Sequence, residues 1–192
     1  ASTELGIWQA FADISDDEGY SWRKSSKICI QGLSYTPGEK TAESDIAVSA
    51  QSFYGRGVIQ PSLWEDSEGV HMLLRSSEGF IYRADSLDEG NSWTDAYALS
   101  LPNNNSGLDL TKASDGKLYL VCNPVAKNWG VRSPISLFSS KDGLTWNKVL
   151  DFETEPSEFS YPAIISQGDK LHISYTYKRE NIAYHELEIN SL

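Results

Sequence analysis

Arg75 is the residue whose position in the sequence points most directly to binding chemistry. It follows an apolar run at residues 70–74 that ends in two leucines. A charged side chain at the end of an apolar strand usually lies at a solvated edge or lines a pocket. In a pocket, the planar guanidinium would bind a carboxylate through two parallel hydrogen bonds. On the surface, Arg75 would instead pair with Glu65, Glu68 or Glu78, so both interpretations stay open.

Three acidic segments share a form that could bind a cation or a sugar. They read Ser15-x-Asp17-x-Gly19-x-x-Trp22, Ser86-x-Asp88-x-Gly90-x-x-Trp93 and the shorter Ser140-x-Asp142-Gly143-x-Thr145-Trp146. The same residue types also build tight turns, because Ser and Asp side chains bond the local backbone and Gly adopts a positive φ. The Trp ring can then pack between structural units while its N–H finds a partner. We therefore expect turns rather than ligand sites.

The bulk composition argues against several classes of partner. The chain has 192 residues, 40% of them hydrophobic, and a formal net charge of −11, which fits one domain spanning residues 1–192. The negative charge argues against nucleic acid and anionic membrane surfaces as partners. Its three His residues occur without a CxxC or HExxH motif, so we predict no metal and no cofactor.

The targeting signals leave the compartment open. No apolar run approaches the roughly 18 residues that a transmembrane helix needs. The first residues lack the basic and apolar regions of a signal peptide, as a mature or truncated chain also would. Both a cytoplasmic and a secreted location remain compatible with the sequence.

The succession of apolar runs and turns predicts an all-β protein. Short strand-like runs are separated by Gly, Asp and Ser turns, and no segment shows a helical period. Residues 31–57 have little periodicity and are predicted to form a long loop insertion. The segments 60–75, 107–122 and 161–175 share one pattern of strand, acidic or Gly turn, and strand. They recur at roughly 50 residues, the spacing of four-stranded antiparallel β-propeller blades, of which the chain would hold about three.

These repeats resemble a known family. The three acidic segments are similar to the Asp boxes, or BNR repeats, of the sialidase superfamily. The linking sequences VIQPSLW, HMLLRSSEGFIYRADS, LPNNNSGLDL, SYPAII and LHISYTYKR resemble the sialidase-like BNR family. The resemblance covers nearly the whole chain except residues 31–57. It implies a β-propeller of about six blades, of which this chain would form the C-terminal half.

Half a propeller leaves strand edges without partners, which promotes aggregation. Two explanations stay open. The chain is a piece of a longer protein, or it is a half-propeller that pairs with a second copy or another chain. We expect a second chain or copy to cover the edges.

The resemblance also implies roles for individual residues. Sialidases bind the substrate carboxylate with three arginines and use a Tyr nucleophile paired with a Glu. Arg75 resembles the second arginine, Arg132 the third, and Tyr161 the nucleophile. The position that matches the Glu partner is Gln60, whose amide cannot accept the phenol proton.

Three further residues complete the predicted site. Asn105 and Asp109 flank Ser-Gly in NNNSGLDL, where they line the pocket or organise the turn. Arg179 follows a predicted strand near the C-terminus. We assign Tyr161 and Asp109 as catalytic candidates. The substrate-binding candidates are Arg75, Arg132, Gln60, Asn105 and Arg179.

The function implied by the resemblance is that of a sialidase-like glycoside-processing protein that acts on or binds an acidic sugar. The alternative is a non-catalytic carbohydrate-binding or scaffolding propeller. Gln60 and the absence of the blades that carry the first arginine and the acid/base Asp favour this alternative. Whether the chain is a glycoside hydrolase of the exo-sialidase type stays open.

Overall fold

The protein is built almost entirely from short antiparallel strands. The structure, a computed structural model, describes residues 2–4, 6–34, 36–49 and 54–192. The strands are Ser2–Glu4 (β1), Ile7–Gln9 (β2), Asp13–Ile14 (β3), Arg23–Lys24 (β4), Arg56–Asp66 (β5), Gly69–Ser76 (β6), Phe80–Ser86 (β7), Tyr97–Pro102 (β8), Asp109–Lys112 (β9), Leu118–Cys122 (β10), Ile135–Ser140 (β11), Asn147–Glu153 (β12), Phe159–Gln167 (β13), Lys170–Tyr177 (β14) and Asn181–Glu188 (β15). Within the described ranges, the only helical element is a 3-10 turn at Ile189–Ser191. The described residues include no helix long and apolar enough to cross a membrane.

Three of the sheets repeat one arrangement in which each strand pairs with its sequence neighbours. Blade 1 consists of β5 to β8, blade 2 of β9 to β12, and blade 3 of β13 to β15. The first strands of the blades, β5, β9 and β13, lie next to one another. This is the arrangement of propeller blades, whose inner strands line a common axis. The predicted all-β fold with about three antiparallel blades is confirmed.

Alternation along each strand sends successive side chains to opposite faces, so each blade packs against both neighbours. Leu73, Ile81 and Leu101 of blade 1 pack against Leu110, Leu118 and Leu120 of blade 2. The other face of blade 2 presents a second set of buried side chains to blade 3. This second core includes Tyr119, Val121, Leu137, Phe159, Ile173 and Tyr175.

The N-terminal segment covers the remaining face of blade 1. β2 pairs in parallel with the start of β5, through Ile7 and Arg56. Ala10 and Ile28 form a bridge and join the core on that face, which also contains Met72. This parallel pairing was not predicted, because it joins segments separated by nearly 50 residues.

The predicted loop insertion at residues 31–57 lies partly outside the described residues, which omit 35 and 50–53. Its last two residues belong to β5, since Arg56 pairs with β2 and forms two bonds of 3.0 Å to Glu78. The described residues between 25 and 55 contain no named strand. Arg56 also forms an ion pair with Glu39, and Lys127 lies 2.7 Å from Asp45. These contacts fasten the loop to blade 1 and to the 124–133 connection.

The acidic segments form turns whose polar atoms bond one another. In the second Asp box (residues 86–93), Gly90 N–H donates to Ser86 Oγ at 2.9 Å and Ser92 N–H donates to Asp88 at 2.8 Å. Trp93 Nε1–H donates to the carbonyl of Gly90 at 2.8 Å. The hydroxyl of Ser92, which donates to the carboxylate, is the main cause of the lowered pKa of Asp88. The first and third boxes repeat this pattern, which supports a structural role.

The two longer Asp boxes differ in packing, and we expect their serines to differ in their contribution to stability. Ser86 is buried, whereas the box of Ser15 ends in Trp22, which is 64% exposed. Ser86→Ala should lower the free energy of unfolding by about 1–2 kcal/mol, because the buried N–H groups of the turn lose their acceptor. Ser15→Ala is the matched control and should change it by less than about 0.5 kcal/mol. Urea denaturation measures both, and equal losses would contradict the assignment.

Candidate functional site

Two backbone bulges occur at matching positions of blades 1 and 3. The pairing of β5 with β6 shifts register between Ile59 and Pro61, and the pairing of β13 with β14 shifts between Ser160 and Ala163. Gln60 and Tyr161 both have φ of 51°. A side chain other than Gly rarely adopts such a φ, and bulges re-aim side chains beside functional sites. The predicted alignment of Gln60 with Tyr161 therefore corresponds to a shared backbone feature.

Arg75 is buried at the end of β6, with 5% of its surface exposed. Its Nε–H donates to Asn105 Oδ1 at 3.0 Å, and one terminal nitrogen donates to Gln60 Oε1 at 2.6 Å. Burial lowers the pKa of Arg75 to about 10, and the neighbouring Tyr161 and Arg132 act on it in opposite directions. The guanidinium is thus charged at neutral pH. No carboxylate bonds to it among the described residues, and the surface ion pair with Glu65, Glu68 or Glu78 is not formed.

Tyr161 is an exposed neighbour of this arginine. Its side chain is 55% exposed, and the Arg132 guanidinium lies 5.1 Å from the centre of its ring. A Cβ on Gly107 would come within 3.2 Å of the ring, so the absence of a side chain there makes room for the tyrosine. Tyr161 also raises the pKa of Arg75 and that of Arg179. Of these arginines, Arg132 lies directly beside the Tyr161 ring.

Arg132 and Arg179 share one carboxylate, that of Glu158. Arg132 lies 3.3 Å from one oxygen of Glu158, and Arg179 lies 2.5 Å from the other. The pKa of Arg179 is raised, chiefly by its hydrogen bond to Glu158. These residues line a cavity of about 450 Å³ that Tyr54 and Trp129 also line. The site thus combines positive charge, one compensating carboxylate and aromatic surface.

Asp109 is held between the blades by two hydrogen bonds. Its two carboxylate oxygens accept hydrogen bonds from the Ser62 hydroxyl at 2.7 Å and from the backbone N–H of Ile164 at 2.9 Å. Asp109 thus connects the inner strands of the three blades. These contacts favour a structural role, and its catalytic assignment stays a prediction.

The structure adds residues that the sequence did not single out. Asn128, Thr41 and Asn103 are buried and bond to Asn105 or to the groups around it. The run of three asparagines at 103–105 could have indicated a hydrogen-bonded cluster, because amide side chains that become buried need several partners. Asn128 and Thr41 carried no comparable signal. In the part of the chain that the structure describes, no three His, Cys, Asp or Glu side chains converge in a way that could hold a metal ion.

The bladed fold and its three Asp boxes are those of β-propeller blades. Residues 1–173 match the family model BNR_2, described as a BNR repeat-like domain. The chain belongs to this BNR repeat-like family. None of the curated proteins compared with it matches at a significant level.

Solved sialidase structures share this fold. The leech intramolecular trans-sialidase, complexed with 2,7-anhydro-Neu5Ac, has a TM-score of 0.62 at 16% identity and is matched over 94% of this chain. The NanB sialidase from Streptococcus pneumoniae has a TM-score of 0.62 at 18% identity over 96% of this chain. The Trypanosoma rangeli sialidase in complex with sialic acid has a TM-score of 0.56 at 14% identity over 94% of this chain.

The chain is much shorter than these relatives. It covers 27% of the leech protein, 28% of the S. pneumoniae protein and 27% of the T. rangeli protein. The likeness establishes the fold. What the complete relatives bind or cleave enters below as a proposal only.

Proposed function

We propose that this sialidase-family chain binds the carboxylate of an acidic sugar, with Arg75 and Arg132 as its cationic groups and Tyr161 beside them. The observation that carries the proposal is the buried, charged Arg75, which neutral amides orient and no carboxylate neutralises among the described residues. A desolvated cation of this kind is stabilised by an anionic ligand. The sialic acid bound to the T. rangeli relative belongs to the matching class of ligand.

Charge distribution supports an anion despite the overall negative charge. The formal net charge is −11, yet Arg75 is buried with only amide partners among the described residues, and Arg132 and Arg179 line one cavity. Glu158 compensates for one of these three charges through its contacts with Arg132 and Arg179. A concave site with low-dielectric walls focuses such a local field. The cavity of about 450 Å³ beside Arg132 has the size of a small-ligand site.

Gln60 favours binding over hydrolysis. It has the same bulged backbone as Tyr161, and its Oε1 accepts a hydrogen bond from Arg75. A glutamate there would be a base for the phenol proton, whereas an amide cannot take a proton at neutral pH. The arrangement therefore supports the non-catalytic alternative for this part of the protein.

We expect the protein to bind free sialic acid at least about tenfold more tightly than its methyl ester, because the ester cannot form charge-assisted bonds to the arginines. Titration followed by NMR measures both affinities in the same buffer. The ester is the matched control, since it keeps the ring and the hydroxyl groups. Equal affinities would contradict carboxylate recognition. Steady release of the fluorophore from a fluorogenic sialoside would contradict the restriction to binding.

A further inference from the structure

We propose that Thr41 and Asn128 are positioning residues for Arg75, which they orient through a one-way series of hydrogen bonds that runs through Asn105. The inference rests on the proposed function, since it explains how the carboxylate-binding arginine is held. It assigns a role to Thr41 in the loop at residues 31–57.

Three hydrogen bonds connect the loop to the guanidinium, and a fourth fixes the hydroxyl of Thr41. Arg75 Nε–H donates to Asn105 Oδ1 at 3.0 Å, and Asn105 Nδ2–H donates to Asn128 Oδ1 at 3.0 Å. Asn128 Nδ2–H donates to Thr41 Oγ1 at 3.1 Å. The Thr41 hydroxyl donates to the carbonyl of Ser77 at 3.2 Å. All four side chains of the series are buried.

The direction of these bonds follows from the chemistry of the groups. The Nε of arginine can only donate, so Asn105 must turn its carbonyl oxygen toward Arg75 and its NH2 toward Asn128. Asn128 must then accept with its oxygen and donate with its nitrogen. The single hydroxyl proton of Thr41 is used by Ser77, which leaves its oxygen free to accept. Reversing any amide would place two donors or two acceptors face to face.

The backbone conformation of the loop places Thr41 beside Asn128. Ala42 and Glu43 both adopt left-handed backbone, with φ of 46° and 58°, and Ser44 N–H donates to the carbonyl of Thr41 at 3.0 Å. Two successive residues other than Gly adopt the left-handed backbone conformation only where the surrounding structure imposes it. The backbone N–H of Asn128 donates to the carbonyl of Ala42 at 2.8 Å, so the turn is joined to Asn128 a second time.

Close packing leaves the turn little freedom. A Cβ on Gly79 would meet the Ala42 side chain at 3.2 Å and the carbonyl of Ala126 at 2.9 Å. The loop therefore lies directly on the β6–β7 turn and on the connection that carries Asn128. An arginine whose supporting residues are locked in this way presents its remaining N–H groups in one orientation, which favours two-point binding of a carboxylate.

The test compares variants of Thr41 by NMR titration. The quantity compared is the affinity for sialic acid divided by the affinity for its methyl ester. Thr41→Val leaves Asn128 Nδ2 without an acceptor and should lower the ratio about fivefold, the effect of one buried hydrogen bond. Thr41→Ser keeps the hydroxyl and should retain the ratio. Ser44→Ala is the control within the same turn, because Ser44 Oγ accepts a hydrogen bond from Ile46 N–H and is not part of the series.

A second readout needs no ligand. The Arg75 Nε–H signal should exchange slowly with water in the wild type and in Thr41→Ser, and faster in Thr41→Val. A merely structural role of Thr41 would lower the melting temperature without this selective change. If Thr41→Val does not fold, Thr41→Ala, which adds no bulk, takes its place.

The outcomes separate the two proposals. An unchanged ratio and unchanged Nε–H exchange in Thr41→Val would overturn the positioning role while leaving carboxylate recognition intact. A wild-type protein that does not distinguish acid from ester would overturn the proposed function, and the positioning role with it. A selective loss in Thr41→Val that Thr41→Ser does not show supports both.

Discussion

Replacement of Arg75 by lysine is expected to lower the affinity for sialic acid by at least about tenfold, although the positive charge is kept. A lysine ammonium cannot bond Asn105 and Gln60 while also presenting two parallel donors to a carboxylate, as the guanidinium does. Arg75→Met should abolish measurable preference for the acid, since truncating one partner of a buried charge pair costs about 2–5 kcal/mol. Titration with the acid and its methyl ester measures the effect.

The matched control for this prediction is Arg23→Lys. Arg23 bonds Asp16 at 3.1 Å on an exposed hairpin outside the site, and its replacement should leave the affinity unchanged. Loss of acid binding in both Lys variants would show that the effect is not specific to the guanidinium of Arg75. Retained acid preference in Arg75→Met would remove Arg75 from the site.

Replacement of Asp109 is expected to have the largest effect on stability. Asp109→Ala removes an acceptor from the Ser62 hydroxyl and from the N–H of Ile164, which join the inner strands of the three blades. Hydrogen bonds to a charged group contribute about 1.5–3 kcal/mol each, so the free energy of unfolding should fall by about 3–5 kcal/mol. Asp109→Asn keeps an oxygen for Ile164 and should lose only about 1–2 kcal/mol. Denaturant unfolding monitored by tryptophan fluorescence gives both values.

The same pair of variants tests the catalytic assignment of Asp109. If Asp109 has a structural role, the loss of stability should be graded, large in Asp109→Ala and small in Asp109→Asn. If Asp109 is a catalytic acid, Asp109→Asn should leave the free energy of unfolding unchanged and abolish any sialoside turnover. The two hydrogen bonds to blades 1 and 3 lead us to expect the graded loss.

Local features of the sequence were sufficient to predict the strands, the blades and the turns. The segment 161–175, predicted as strand, turn and strand, lies in β13 and β14, because side chains of a strand alternate between faces. The Asp boxes were predictable for a similar reason. Ser86, Asp88 and Gly90 bond within their own turn, so the information lies within a few residues.

The candidate site was predictable only in part. Gln60, Arg75 and Tyr161 were found through a repeated pattern and a family resemblance, and the structure brings them together. The contacts that decide their roles join distant segments, however. Arg75 and Asn105 are 30 residues apart, and Asn128 and Thr41 are 87 apart.

The sequence by itself therefore determined the all-β fold and the repeat, because each depends on periodicity or short motifs. The roles of the arginines and the tyrosine are predictions that rest on the family resemblance. Only the tertiary structure decided that Asp109 joins three blades and that hydrogen bonds link Thr41 to Arg75 through Asn128 and Asn105. The physical reason is that the hydrogen-bond partners of a polar side chain are set only when it is buried against other segments of the chain. Which donor meets which acceptor depends on how the blades and the loop pack.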